Sequence, residues 1–447
     1  MHLTEALGRF VADLVPDRIP DEARRVARMG FIDTVGTMIA GRDDDAPRIL
    51  GRVLAPADGP AALTFSPRRA PAPEAAWING TAGHALDYDD VALRGHPSTV
   101  LVPAILAEAE HLDASGEAMQ VAYIAGYETW AELFGRDKGL HHGKGWHPTG
   151  IFGAIGAAAA CARLRGLDAA RTAQAIALGA SQSAGLMANF GTMTKPFHAG
   201  RAAHAGLMAA RLAEAGFTAS PDALEHPQGF LSAVSPAGEV DRGDPATLGT
   251  DWRILTQGLG IKKYPTCYCT HRSIDAMLDL LATRRLQPEA IGAMTATLSE
   301  NHATILRNHA PDTGLAAKFS IEFALACAVI AGKVGLAELT DDFVRRPDVQ
   351  ALMRTVRVET DTDYDPAMSG ASRFAQVRIA LADGSTIETA KVARATGHPS
   401  RPLTDIQLWD KFRDCLAVGG SDIPAETLFA RLDAMPRYTA RQITAIP

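Results

Sequence analysis

The chain has 447 residues, 47% of them hydrophobic and 21% charged, a composition that excludes a disordered chain and leaves room for two or three cores. Its formal net charge of −7 argues against a non-specific nucleic-acid binder, which needs a basic surface, without excluding a local cationic pocket. The longest apolar run, residues 151–162, is too short and too rich in Ala and Gly to span a bilayer.

The N-terminal stretch carries acids early and is helically periodic, with no signal-peptide core. The expected setting is therefore the cytoplasm, with neither a membrane nor a nucleic acid as partner. The five cysteines, Cys161, Cys267, Cys269, Cys327 and Cys415, are odd in number and mostly in apolar helical context, so no disulfide framework is expected.

Up to about residue 255 nearly every segment is predicted helical. Apolar residues recur at helical spacing over 23–39, 75–86, 97–109, 120–134, 148–164, 168–187 and 196–216, separated by Gly-, Pro- or Asp-rich turns. The Ala/Gly runs at 151–162 and 202–215 read as faces for close helix packing. After Gly258-Leu259-Gly260 the character changes. Strands are predicted at 294–299 and 355–360, and at 376–381 and 386–392 around Asp383-Gly384, a strong hairpin signal. Helices at 272–282 and 321–331 lie between them. Past His398-Pro399 the pattern is helical again at 404–416 and 425–434. The fold class is thus mainly α: a large discontinuous all-helical domain, residues 1–258 and 403–447, and a smaller α+β domain, residues 259–402, with an antiparallel sheet.

Three dipeptides stand out within the helical region: His96-Pro97, His147-Pro148 and Lys195-Pro196. Each precedes a small-residue apolar stretch, and proline is favoured at the first helical position, where a missing N–H costs nothing. Each therefore reads as a helix start with an ionisable side chain just outside it. Helix N-termini attract anions and keep a nearby imidazole neutral. Three converging ends would form a carboxylate or phosphate site with proton-transfer groups.

Asp87-Tyr88-Asp89-Asp90 closes a helix nine positions before His96, counting from Asp87. Such a loop offers ligands to a divalent ion or orients an imidazole; as a helix end it is also an ordinary place for solvated acids. Asp87 belongs to the preceding helical face and is expected to point inward. In Cys267-Tyr268-Cys269-Thr270-His271 the spacing matches no familiar zinc site. Lys262, Lys263 and His271 instead read as a cationic cluster at the hinge, suited to carboxylates; an exposed charged linker is the plainer reading. His141-His142-Gly143-Lys144-Gly145 lacks the Ser or Thr of a phosphate loop, and Gly258-Leu259-Gly260 lacks the third glycine of a dinucleotide fingerprint. No Gly-x-Ser-x-Gly elbow occurs.

The stretches GHALDYDD, GHPS, GWHPTGIFGAIGAAAA, KPFHAGRAAHAG, KKYPTCYCTHR and AKFSIEFALA, in this order, resemble the MmgE/PrpD family over nearly the whole chain. The resemblance implies a large helical domain, a smaller α+β lid, a homodimer, and an active site at the domain interface that uses no metal and no cofactor. It places site residues at Asp87, His96, His147, Lys195 and Lys262, with His271 in the same hinge motif. Lys263 and Cys267, also in that motif, are added as substrate-binding candidates. Cys267 stands where decarboxylase-like members have His, Phe323 where they have Tyr, and Val91 where dehydratase- and decarboxylase-like members have Thr.

The expected function is a cofactor-independent lyase of the dehydratase type, acting on a small di- or tricarboxylate by proton abstraction next to a carboxylate. His96 or His147 would be the base, Lys195 and Lys262 would hold carboxylates and offset the developing charge, and Asp87 would orient one imidazole. An epimerase of an amino- or imino-dicarboxylate, like the iminodisuccinate epimerases of the shorter bacterial branch, is the alternative. A carboxylate-binding protein without chemistry is the second.

Overall fold

The computed structural model describes residues 2–245, 247–368 and 370–447. The chain divides into two compact units, Met1–Ile261 with Asp405–Pro447, and Lys262–Thr404.

The first unit is built from helices α1 (Leu3–Asp13), α2 (Asp21–Ala40), α3 (Asp45–Leu54), α4 (Ala72–Ala85), α5 (Ser98–Leu112), α6 (Gly116–Gly135), α7 (Pro148–Leu164), α8 (Ala169–Ser181) and α9 (Thr194–Glu214). Local chemistry sets several starts. Ser115 and Asp168 cap α6 and α8 by accepting from the Ala118 and Arg171 amides, which satisfies N–H groups that a helix cannot bond internally. Pro148 opens α7 as expected. The helix expected to reach residue 187 stops at Ser181; four residues on, Gly185 takes a φ of 139°, a conformation closed to other residues. A two-stranded hairpin, β1 (Ala61–Ala62) with β2 (Arg69–Ala70), precedes α4.

Close helix approach follows from missing side chains. A methyl group at Gly80 would sit 2.8 Å from the Gly200 Cα, and one at Gly200 would run into the Trp77 carbonyl. This contact joins α4 to α9. Larger residues, among them Phe31, Tyr123, Tyr127, Trp130 and Phe152, fill the core between the other helices. The helix Asp405–Gly419 returns to this unit and lays Phe412 against Gly36 of α2. It also buries Lys411, whose Nζ pairs with Asp33 of α2 and donates to the Tyr88 carbonyl at 2.7 Å.

The second unit holds a four-stranded sheet ordered β4-β3-β5-β6, with β3 at Ile291–Ser299, β4 at Val356–Asp361, β5 at Gln376–Leu381 and β6 at Thr386–Glu388. The hairpin turn falls at Asp383-Gly384, where Gly384 takes φ 85°. The sheet is mixed rather than antiparallel, because β3 and β4 run parallel. More than fifty residues, including the helix Ile321–Ala331, carry the chain from the end of β3 back to the start of β4. Parallel pairing needs such a crossover. Phe323, Ile321, Met294, Leu298, Val377 and Ile379 form the core of this unit.

Candidate active site

The segment after α4 determines the site. Helix α4 ends at Ala85, and Asp87 adopts a left-handed φ of 52°, which aspartate tolerates better than most residues. The turn sends consecutive acids to different partners.

Asp87 meets Lys195, whose Nζ lies 2.7 Å from its Oδ1. Lys195 also sits 5.3 Å from the centre of the Phe190 ring. It was expected just outside a helix but lies in the first turn of α9, which starts at Thr194. Pro196 is tolerated there because first-turn amides have no internal partner.

Asp89 is wholly buried and accepts from two imidazoles. His84 Nδ1 stands 2.9 and 3.0 Å from its two oxygens, and His96 Nδ1 stands 3.0 Å from Oδ2. Burial alone would raise this carboxyl, but His84 and His96 hold it well below the usual carboxylate range. His96 Nδ1 also lies 2.8 Å from the Asp90 carbonyl oxygen. A carbonyl can only accept, so Nδ1 of His96 carries the proton and Nε2 is left with the lone pair when the ring is neutral. The sequence reading gave the role of orienting an imidazole to Asp87; the carboxylate that holds His96 is Asp89. The His96 amide donates to Thr149 Oγ1 at 3.1 Å, which ties the start of α5 to the start of α7.

Asp90 is buried, accepts from Ser98 Oγ at 3.0 Å, and is pushed well above the carboxylate range by burial and by the charges of Asp33 and Asp89. Both effects favour its protonated form.

His147 caps α7, donates its amide to the Gly185 carbonyl at 3.0 Å, and brings Nδ1 to 3.1 Å from Nδ1 of His198. Its pKa lies well below that of a free imidazole, first through burial and then through His84, Lys195 and His96. The His84 ring lies between: its centre is 4.4 Å from His96 and 6.0 Å from His147. The structure thus gathers His96, His147, Asp87 and Lys195 from three helix starts and one loop, and adds His84, Asp89 and His198. His84 and His198 were in plain view, five residues before Asp89 and three after Lys195. The second spacing places His198 and Lys195 on one face of α9.

Among the described residues, His84, Asp87, Asp89 and His96 bring candidate ligand atoms within 4.8 Å of one another. Two nitrogens and two oxygens suit a transition metal. The donors are already engaged, however, Asp87 by the Lys195 ammonium and Asp89 by two imidazole N–H groups, so an ion would have to displace a cation and two protons.

The remaining expected residues belong to the second unit. Lys262 is buried. Lys263 lies 3.7 Å from Asp275 and over the Tyr264 ring. Cys267 is buried and its amide donates to the Lys318 carbonyl at 2.8 Å. His271 opens the helix His271–Thr283 and donates from Nε2 to the Thr266 carbonyl at 3.2 Å, between Tyr264 and Tyr268. The Cys269 thiol is pushed up by its hydrogen bond to Cys267 and by burial, which disfavours a thiolate there.

The chain matches the MmgE/PrpD N-terminal domain over residues 5–242 and the MmgE/PrpD C-terminal domain over residues 264–428. It belongs to the MmgE/PrpD family. It is 26% identical to the cis-aconitate decarboxylase of Homo sapiens over 426 residues, covering 92% of this chain and 87% of that one. It is 28% identical to the Mus musculus enzyme of the same name, covering 77% and 72%, and 25% identical to one from Aspergillus terreus, covering 92% and 88%.

Proposed function

We propose that the protein is a lyase that acts on a small di- or tricarboxylate without a cofactor, through proton transfer at a carbon next to a carboxylate. The observation that carries this reading is His96: its Nδ1 proton is committed to Asp89 and the Asp90 carbonyl, so Nε2 is the nitrogen available to take and return a proton. Lys195 supplies positive charge where carbanion character develops. His147, kept neutral by burial, is the second proton-transfer group. Lys262, Lys263, Cys267 and His271 are proposed to bind substrate.

In the dehydration reading His96 takes the proton from the carbon, the electron pair enters the adjacent carboxylate, and a carbon–carbon double bond forms as the β-hydroxyl leaves as water with a proton from a second acid. A decarboxylation reading is favoured by the names of the relatives. There the carbon–carboxylate bond breaks, carbon dioxide leaves, and the electron pair left on carbon is protonated by an imidazolium. Phe323, buried in the core of the second unit, offers no hydroxyl, and Cys267 offers no imidazole; these departures count against decarboxylation, while Val91 counts against both readings. The epimerase alternative draws no support from these relatives.

The test is a panel of hydroxy-di- and tricarboxylic acids together with cis-aconitate, followed by NMR in deuterated water. An unsaturated product from a hydroxy acid identifies a dehydratase, and carbon dioxide from cis-aconitate identifies a decarboxylase. Solvent exchange at the α-carbon without net conversion would return the epimerase reading. Absence of turnover and of exchange across the panel would overturn the proposal.

A further inference from the structure

One group in the cluster has no part in the chemistry proposed above. His84 stands in the last turn of α4, and its side chain is wholly closed to solvent. Its Nδ1 faces both oxygens of Asp89, at 2.9 and 3.0 Å. His84 and His96 hold Asp89 well below the usual carboxylate range, and a carboxylate oxygen only accepts, so this nitrogen is the one that carries hydrogen. Its Nε2 is buried and meets no hydrogen-bond partner among the described residues, an arrangement that costs free energy and calls for an explanation. The ring also packs 4.4 Å from His96, centre to centre, and lies nearly parallel to His147 at 23°. A side chain that only filled space would do so without leaving a nitrogen unsatisfied.

We propose that His84 is a positioning residue: its Nδ1–H clamps the Asp89 carboxylate, and the clamped carboxylate holds His96 in the orientation that leaves Nε2 for proton transfer. The inference rests on the reading of His96 as the proton-transfer group. Among the described residues, the other side-chain donor to Asp89 is His96 itself. Without His84 the carboxylate would be free to rotate about its Cβ–Cγ bond, and the His96 N–H would retain only the Asp90 carbonyl as a fixed acceptor. Partners that orient a functional imidazole from outside commonly change rates by about tenfold to a hundredfold when lost.

The chemistry of the amide side chains provides the test. The asparagine amide nitrogen occupies nearly the place of imidazole Nδ1, whereas that of glutamine lies nearer Nε2. In the full-length protein, His84→Asn should keep the bond to Asp89 and His84→Gln should lose it, although both put a polar group in the same pocket. The first readout needs no substrate. In protein labelled with 15N-histidine, the His96 ring N–H signal should persist in the wild type and His84→Asn, and be broadened by solvent exchange in His84→Gln. The second is kinetic, with whichever panel acid is turned over fastest. His84→Gln should lose about tenfold to a hundredfold in kcat with little change in KM, and His84→Asn should recover most of the loss.

An unbroadened His96 signal in a folded His84→Gln protein overturns the clamp, as does a His84→Asn protein as impaired as His84→Gln. If His84→Gln does not fold, loss of the signal in a folded His84→Asn protein overturns it equally. Spectra that behave as expected with rates that do not respond would uphold the clamp and refute instead the role given to His96.

Discussion

Asp87 Oδ1 and Lys195 Nζ lie 2.7 Å apart although 108 positions separate them in the chain, and both side chains are no more than 11% exposed. A buried ion pair adds little net stability while both partners remain, because desolvation offsets the attraction; removing one leaves a stranded charge. Lys195→Met alone should therefore cost about 3 kcal/mol, while the double variant Asp87→Asn with Lys195→Met should recover much of that without recovering activity. Urea melts and steady-state kinetics on the single and double variants check both halves. A double variant no more stable than the single one would show that the pair is not a closed electrostatic unit.

His96→Ala should lower kcat by roughly two to four orders of magnitude with folding intact, the usual range for a general acid–base group. If His96 served only to start α5, the cost would be about 1 kcal/mol of stability and the rate would hardly change. A near-normal kcat would transfer the role to His147. Lys195→Ala should differ, raising KM strongly as a carboxylate partner is lost and also lowering kcat as the charge opposite the developing carbanion goes.

The neutral burial of His84 predicts acid lability. Burial holds this imidazole at about 4, against about 6.5 in an unfolded chain. Between those values the unfolded state binds a proton that the native state refuses, so stability falls as the pH is lowered from about 6.5 to 4. The contribution is up to about 3 kcal/mol. His147, also lowered by burial, acts in the same direction. Replacing His84 with Asn removes one titrating group, and the variant's melting temperature should depend less on pH across this window.

Asp90 has the opposite sign. Its carboxyl is raised, first by burial and then by Asp33 and Asp89. The native state therefore holds a proton that the unfolded chain releases above about pH 4, and stability falls as pH rises from there. Asp90→Asn mimics the protonated acid and keeps an oxygen for Ser98. It should match the wild type near pH 4 and melt higher than the wild type at pH 8. A variant that is less stable at pH 8 would show that Asp90 is ionised in the native state.

Much of this was legible in the sequence. Pro148 fixed the start of α7 because proline has one favourable place in a helix. Asp383-Gly384 fixed the hairpin because a tight turn needs φ > 0. The parallel β3–β4 pair was not legible, because alternation marks a strand but carries no information about the direction of its partner. The candidate site was legible as residue types near helix starts, the pattern that singles out His96, His147 and Lys195. The division of labour within Asp87-Tyr88-Asp89-Asp90 was hidden, since it depends on a left-handed residue at Asp87 that turns each following acid toward a different helix. His84 looked like one more polar residue on an apolar helix, and only the packing of α4 against α9, made close by Gly80 and Gly200, shows what surrounds it.

Lys411 reaches back 323 positions to the Tyr88 carbonyl, and farther still to Asp33. A chain emerging from the ribosome, at roughly 5–20 residues per second, would finish α2 and the acidic turn long before the residue that steadies them exists. For most of its synthesis Asp33 would lack its lysine, and the loop that presents Asp87 and Asp89 would lack its anchor. The first unit can reach its native arrangement only after the whole intervening unit has been made. Catalytic competence would then appear late and all at once, and a chain cut anywhere before Asp405 should leave α2 with a surplus buried negative charge.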